Sequence, residues 1–501
     1  SHNIKARGLK AAILRKLGGG ERAKAWIQEN LELDPFDYVS RYEAVLNAPA
    51  EEKEAVKAEM KRLMRNFHES YLQTARDYAE AGFYGEAEAV LGGCTEEWPM
   101  LFYYKGRYQQ KQGREAEAAE AFRQAEAASP LYCFPNKLED IPVLEAAIAA
   151  NPQGAKAYYY LGCLYYDKLQ FEKAAGLWEK SIELDDSYPT AHRNLALAYY
   201  NKQNDPEKAK KELEKAFSLD ETDARVLLEL DQLYKKMGVD FEKRLELYES
   251  HKDIIAERDD VMLEYVTLYN LAGKPEKAYE IIMGHTFRPW EGAEGRISGQ
   301  YKIALLELAK KAMAAGGYAR AEEILEKALV YPENLGEGKL EGTKDNNIYY
   351  YLGLAKEKLG KAEEAVSCLE LAELGDNEPA GAMYYYDQPA DMILYKGLAK
   401  QKLGKTKEAH ACFNKLMDYG ERHLRDQVKN DFFAVSLPDF LIFEDDMDKR
   451  NKAHCYYLMG LANLGMGRNE KAVEKFDRAL TYDYNHQNCR IYRELAKGEL
   501  L

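Results

Sequence analysis

"YYYLGCLYYDKLQFEKAAGLWEKSIELDDSYP", Tyr158 to Pro189, is the stretch whose reading decides the fold. Leu161 precedes Gly162 and Tyr165 follows it; Ala174 comes twelve residues after the Gly, Trp178 four beyond that and Ser181 three further. The same small–small–large order returns elsewhere in the chain. Gly106 is followed by Ala118, Phe122 and Ala125, and Gly353 by Ala365, Leu369 and Ala372. Gly397 leads Ala409, Phe413 and Leu416, and Gly460 leads Ala472, Phe476 and Ala479. Recurrence at fixed offsets marks an array of small supersecondary units. Two antiparallel helices that approach closely need a small residue where they cross, here Gly on the first helix and Ala on the second. The large residue four later is expected to fill the gap between neighbouring units. A side chain added at the Gly would overpack the crossing at a cost of about 1–3 kcal/mol. No such unit buries its own apolar face, so the units must stack.

This grammar resembles the tetratricopeptide repeat, a helix–turn–helix of about 34 residues. Weaker copies continue it. Ala196 is followed by Ala209, Leu213 and Ala216; Tyr234, Tyr269 and Ala278 keep the register; "ARAEEILEKALVYP" (Ala319 to Pro332) supplies another second helix. Near the front, Ala23 and Ile27 precede Pro35, and Ala87 precedes Leu91. The expectation is an all-α tetratricopeptide-repeat superhelix, an α-solenoid of about ten to eleven units. Its expected divisions are N-terminal units over 1–130, an irregular connector at 131–153, central units over 154–283, a loop insertion at 284–297, and C-terminal units over 298–501 with long loops at 331–347, 375–391 and 420–451.

Composition bounds what such an array can do. Apolar residues are 46% of the 501 and charged residues 31%, a globular balance rather than a disordered one. A net charge of −15 repels phosphate backbones, which argues against nucleic acid as a partner. No apolar run approaches the length that spans a bilayer, so no membrane partner is expected. The first residues, "SHNIKARGLKAAILRKLGGG", lack a secretory signal, and Ser1-His2 reads as an expression scar on part of a longer protein. Seven scattered cysteines with no C-x-x-C pair suggest reduced thiols and a cytoplasmic setting.

In such repeats the first helices line the concave face. Counting Gly as position eight, position five reads Tyr103, Tyr159, Tyr350 and Tyr457, and position twelve adds Tyr166 and Tyr200. A row of tyrosines offers flat apolar faces with polar tips, suited to a peptide or a sugar. The same residues could equally pack between repeats. Tyr159 and Cys163 stand where a carboxylate-clamping groove would carry Lys and Asn, and Asn194 alone does not restore one.

Four connectors are too long for mere connection. They are "HTFRPWEGAEG" (His285 to Gly295), "YPENLGEGKLEGTKDNN" (Tyr331 to Asn347), "GDNEPAGAMYYYDQPAD" (Gly375 to Asp391) and the stretch around "KNDFFAVSLPDFLIFEDDMDKRN" (Lys429 to Asn451). Each follows a second helix and precedes a first helix, so all four should emerge on one edge of the solenoid and share a surface. Candidate binding residues on that edge are Arg288, Trp290, Glu291, Glu294, Asn334, Glu337, Asp387 and Asp391. Arg288 can grip a carboxylate in bidentate fashion, Trp290 can stack on a sugar or fill a cleft, and Glu291 and Glu294 could act as an acid and base pair. A purely structural plug is the competing reading.

These connectors carry a second resemblance. "FRPWEGAEG", "YPENLGEGK", "YYYDQPADMILYKGLA" and "DFFAVSLPDFLIFEDD" are similar to the C-terminal tetratricopeptide half of large bacterial proteins. Those proteins carry an N-terminal β-sandwich of unknown function resembling galactose mutarotase and carbohydrate-active enzymes. Ala293 departs from the W-E-G-G-E-G expected there. The resemblance implies a sugar-related setting and a preceding domain, and transfers no catalytic residue.

Other chemistries find little footing. The sequence has no phosphate-binding G-x-x-x-x-G-K-[ST] and no H-E-x-x-H. "GGGER" (Gly18 to Arg22) reads as a turn, His454-Cys455 lacks a partner spacing for a metal, and "EDDMD" (Glu444 to Asp448) lacks the calcium loop's glycine. "SLPDFLIF" (Ser436 to Phe443) reads as an apolar wedge between repeats. No cofactor or metal is expected. The expected function is a non-catalytic interaction scaffold that docks a protein or peptide, with the missing N-terminal domain as the leading partner. The alternative is an accessory part of a carbohydrate-active enzyme.

Overall fold

The computed structural model describes residues 3–288, 290, 293–380, 388–428 and 442–498. Among them every regular element is helical, with no strand. The chain divides into two compact units, 1–198 and 199–501.

The first unit holds α1 (Ile4–Lys16), α2 (Gly20–Leu33), α3 (Tyr38–Asn47), α4 (Ala50–Met64), α5 (His68–Glu80), α6 (Tyr84–Leu91), α7 (Pro99–Lys111), α8 (Glu115–Ala127), α9 (Asp140–Ala150), α10 (Ala155–Asp167) and α11 (Phe171–Leu184). They form successive hairpins, with α9 standing alone between the α7–α8 and α10–α11 pairs. The connector expected at 131–153 therefore contains a helix. The α3–α4 pair also escapes the repeat pattern, because neither helix carries the Gly–Ala–large signature. Helix α12 (Pro189–Asn201) runs across the boundary between the units.

The second unit continues with α13 (Pro206–Leu219), α14 (Ala224–Lys236), α15 (Phe241–Ser250), the short α16 (Lys252–Ile255), α17 (Asp259–Leu271), α18 (Pro275–Gly284), α19 (Arg296–Ala314) and α20 (Tyr318–Ala328). A 3₁₀ turn (Glu333–Leu335) precedes α21 (Asn346–Lys358) and α22 (Ala362–Ala372). The unit ends with α23 (Ala390–Lys402), α24 (Thr406–His423), α25 (Met447–Gly465), α26 (Asn469–Leu480) and α27 (Gln487–Ala496). By chain order the described helices make twelve hairpins with α9, α16 and α27 left over, more than the ten to eleven units expected.

The helix crossings follow the sequence grammar. A Cβ built on Gly106 would lie 2.6 Å from Phe122, on Gly162 2.6 Å from Trp178, on Gly397 2.3 Å from Phe413 and on Gly460 2.4 Å from Phe476. The large residue therefore lies on the glycine of its own hairpin, closer than expected. It also reaches the next one, since a Cβ on Gly465 in α25 would meet the same Phe413 at 2.3 Å. One ring thus locks α24 to α23 and to α25. Hairpin turns close on left-handed residues such as Gly404 (φ 79°) and Gly467 (φ 71°), a conformation that costs glycine little.

The second unit is also tied back on itself. The turn between α26 and α27 meets α14, α15 and α19. Tyr484 donates to Asp240 Oδ2 at 2.8 Å, Asn485 Nδ2 to the Lys235 carbonyl at 3.2 Å, and Gln300 Nε2 to Gln487 Oε1 at 2.8 Å. Behind that turn the fully buried Arg244 grips both Asp231 oxygens, at 2.7 and 2.8 Å, and donates to Asn485 Oδ1 at 3.0 Å. Further along, Asn201 exchanges hydrogen bonds with Ile442 and Glu444, at 2.8 Å each, and seats the buried Phe443 against Tyr200. Only the last two residues of the expected wedge "SLPDFLIF" lie among the described ones, and they do pack in this way.

Candidate functional site

The tyrosine row comes first, because the sequence placed it on an open groove. Tyr103, Tyr159, Tyr350 and Tyr457 are all buried. Tyr103 donates to Glu126 Oε1 at 2.7 Å and meets Tyr160 edge-on. Tyr159 packs edge-on against Tyr160 and Tyr188. Tyr350 lies against Tyr351 and Tyr395, and Tyr457 against Phe476, His486 and Tyr492. Burial pushes the Tyr103 and Tyr457 hydroxyls well above their ordinary pKa. Tyr166, half-buried, leans on Phe171 and Trp178, and Tyr200 leans on Phe443. Position five faces the neighbouring repeat, so these rings are packing, and four of the six offer no face to a ligand.

Helix α27 accounts for the second unit's share. Its Tyr492 sits among Tyr395, Tyr457 and Phe476, and donates to Asp391 Oδ2 at 2.7 Å. Asp391 is buried at the start of α23 and belongs to this contact rather than to an exposed edge. Nothing in the repeat grammar announced that the last helix would fill the inner side of the stack.

The connectors behave differently, and two of them join. Asn334 Nδ2 donates to the carbonyls of Ile282 (2.7 Å) and His285 (2.9 Å), while Phe287 N donates to the Asn334 carbonyl at 2.8 Å. Glu337 accepts from Gly295 N at 2.8 Å and Ser298 N at 2.9 Å, capping α19 across 39 to 42 residues of sequence. Asp259, at the start of α17, holds the other side: its carboxylate takes Arg288 N at 2.8 Å and lies 2.7 Å from His285 Nε2. Phe287 is buried beneath, edge-on to His285. Lys339 and Lys302 both reach Asp345, at 2.6 and 3.1 Å, and fix the far end of the second connector.

With Asn334 and Glu337 engaged inward, Arg288 and Glu294 are left exposed and Trp290 half-buried. Near them in sequence opens a cleft of about 390 Å³, lined by Lys252, Ile255, Met262, Tyr265, Glu280 and His285. Glu249 braces it from below, accepting from Tyr265 at 2.5 Å and from Tyr269. Burial alone would raise the Glu249 carboxyl, but hydrogen bonds from Lys252, Tyr265 and Tyr269 outweigh it and bring the pKa to about 2. The cleft therefore presents an apolar floor with charges of both signs, Lys252 and Glu280, on its lining, and the exposed Arg288 follows three residues after His285: features that bind. Glu291 and Asp387 lie outside the described residues. Sequence reasoning missed Asp259 and Phe287. "RDDV" signals a helix start, but nothing local says that its carboxylate will clamp a loop 26 to 29 residues away.

No group of three or more His, Cys, Asp or Glu able to hold a metal occurs among the described residues. No described helix is long and apolar enough to cross a membrane.

The tetratricopeptide-repeat family matches residues 72–132, 161–224, 347–380 and 453–486. Among solved structures, the P58(IPK) TPR domain is 13% identical over 99% of this chain and 98% of its own, with a TM-score of 0.25. YrrB, described as a TPR protein with an unusual peptide-binding site, is 19% identical over 44% of this chain and 88% of its own, at 0.19. TTC0263, a thermophilic TPR protein from Thermus thermophilus, is 19% identical over 40% of this chain and 98% of its own, at 0.23.

Proposed function

Because the chain carries tetratricopeptide repeats, we propose that it works as a non-catalytic interaction scaffold whose docking surface is the joined connector edge of the second unit. The observation that carries this reading is the clamp between the 284–295 and 331–345 connectors. A connector needs only to connect, yet Asp259, Asn334 and Glu337 tie described residues of these two together, with Arg288 and Glu294 exposed and Trp290 half-buried, near an apolar cleft. Preorganised aromatic and Arg side chains around an apolar pocket are the usual anchors of a protein interface. The partner is a protein or peptide, and the leading candidate is a domain carried on the same polypeptide. The seven free thiols support the cytoplasm as its compartment.

The test is a binding titration between that preceding domain, expressed separately, and this chain, in wild-type form and as Arg288→Glu with Trp290→Ala. The proposal expects saturable binding that weakens at least about tenfold in the double variant, the scale of a lost hot spot. Binding unchanged by both substitutions would remove the connector edge from the account. Glycoside hydrolysis by this chain alone would overturn the scaffold reading and favour a carbohydrate-active role.

A further inference from the structure

A second cleft lies in the first unit, far in sequence from the connector edge, and it differs in chemistry. It measures about 780 Å³ and is lined by Phe36, Tyr38, Arg62, Arg65, Phe67 and Ser70, with the buried Met64 as floor. The turns before α3 and before α5 form its two walls. Phe36 and Phe67 expose 60% and 50% of their surface, which is unusual for rings facing one cavity. Both walls are built. Asp34 accepts from Phe36 N at 2.8 Å, and Arg41 Nε donates to the Pro35 carbonyl at 2.5 Å. On the other side Asn66 Oδ1 accepts from Thr95 N at 2.8 Å, and His68 stacks on Trp98 with ring centroids 3.9 Å apart.

Arg65 is the left-handed C-cap of α4, its N–H bonded to the Lys61 carbonyl, and Asn66 follows in the same conformation, at φ 53° and 54°. This helix stop turns the chain so that Phe67 follows directly after the two-residue turn. The charges of the lining are what folding leaves unused. The Arg65 guanidinium is exposed and has no partner among the described residues. Arg62, its neighbour in the lining, is spent only on Glu59 three residues back, an exposed pair worth little in water. In a chain of net charge −15, a lining with two arginines and no carboxylate is a local reversal of sign.

The geometry points to this cleft as a docking site for an extended peptide segment of a partner protein that carries a carboxylate next to an aromatic or large aliphatic side chain. The apolar side chain enters between Phe36 and Phe67 above Met64. The carboxylate meets Arg65 and displaces Glu59 from Arg62, in the planar two-bond geometry that arginine favours. The site is independent of the connector edge, and either could fail without the other.

Selection of a phage-displayed random peptide library on the whole chain tests it. The expected result is a family of binders with Asp or Glu within three residues of Phe, Trp or Leu, competing with one another for one site. Their affinity should fall at least tenfold in Arg65→Gly and in Phe67→Ser, and as much when the acidic residue of the peptide is made its amide. Arg65→Gly keeps the left-handed turn available, so its thermal midpoint should hold or rise, which separates lost binding from lost folding. A library that yields no binder, binders without a carboxylate, or binders indifferent to both substitutions would overturn the proposal.

Discussion

The Gly397→Ala variant would bring a Cβ to 2.3 Å from Phe413 Cε1, inside any real contact distance. Helix propensity alone favours that substitution by about 1 kcal/mol, and overpacking opposes it by about 1–3 kcal/mol. Phe413 is also held from the other side by α25 at Gly465, so it has nowhere to move and the steric term should win. Gly176, on the exposed face of α11, has nothing within 4 Å of a built Cβ. Gly176→Ala should therefore stabilise by about 0.5–1 kcal/mol, while Gly397→Ala destabilises; urea denaturation of the two variants checks the opposite signs. Residue-scale packing was legible in the sequence wherever glycine, alanine and a large ring recur at fixed offsets. The tyrosines were not, because position five faces both the groove and the neighbouring repeat, and only the arrangement of Tyr160, Tyr188, Tyr395 and Tyr492 around them decides which wins.

Elements meet through connectors as well as through helix faces. Glu337 serves as a distant N-cap for α19, accepting from Gly295 N and Ser298 N, where Gly295 has no side chain of its own to offer. Losing an N-terminal cap costs about 0.5–2 kcal/mol. Glu337→Ala should show that loss in denaturation and, more tellingly, should speed amide hydrogen exchange at Gly295 and Ser298. Asn334→Ala removes the side-chain bonds to the Ile282 and His285 carbonyls and, by loosening the connector, should speed exchange at Phe287, whose N–H is bonded to the backbone carbonyl of residue 334. Unchanged exchange in both variants would mean that the two connectors are not clamped. That these connectors were too long for simple turns was readable from their lengths; of the four expected to share an edge, hydrogen bonds join the first two. That pairing was not readable, since the hydrogen bonds run between residues 39 to 52 apart in sequence with no local signal at either end. Helix α9 was lost for the opposite reason: "DIPVLEAAIAA" is apolar nearly all round, and the Pro and Cys residues before it read as irregular.

At the scale of the molecule, the second unit differs from an open repeat array in being filled by its own last helix. Asp391 records this. Burial beneath α27 raises its carboxyl above the ordinary range, with the Tyr492 hydrogen bond working the other way. As the pH falls the folded chain takes up this proton before the unfolded chain does. The group's contribution to stability is therefore full below the unfolded value of about 3.9, and is lost as the pH rises through the raised folded value. Asp391→Asn keeps an acceptor for Tyr492 and removes the buried charge, so it should raise the thermal midpoint relative to wild type at pH 7, with the difference shrinking towards zero below about pH 4. A filled interior also agrees with placing the proposed docking surface on the connectors: among the described residues, the groove tyrosines expected in this unit, Tyr350 and Tyr457, are buried.

That closure can be tested covalently. A Cβ built on Gly238, after α14, would lie 3.8 Å from Tyr484 Cβ, before α27, within the separation of about 3.5–4.5 Å that a disulfide spans; because Gly238 is left-handed, at φ 70°, the double variant is first shown to be folded by its thermal melt in reductant. Mild oxidation of Gly238→Cys with Tyr484→Cys should give a fast-migrating band on a non-reducing gel, reversed by reductant, absent from either single variant, and mapped by peptide digestion to residues 238 and 484. An unfilled, open second unit would leave the pair reduced under the same conditions, and that result would contradict the account.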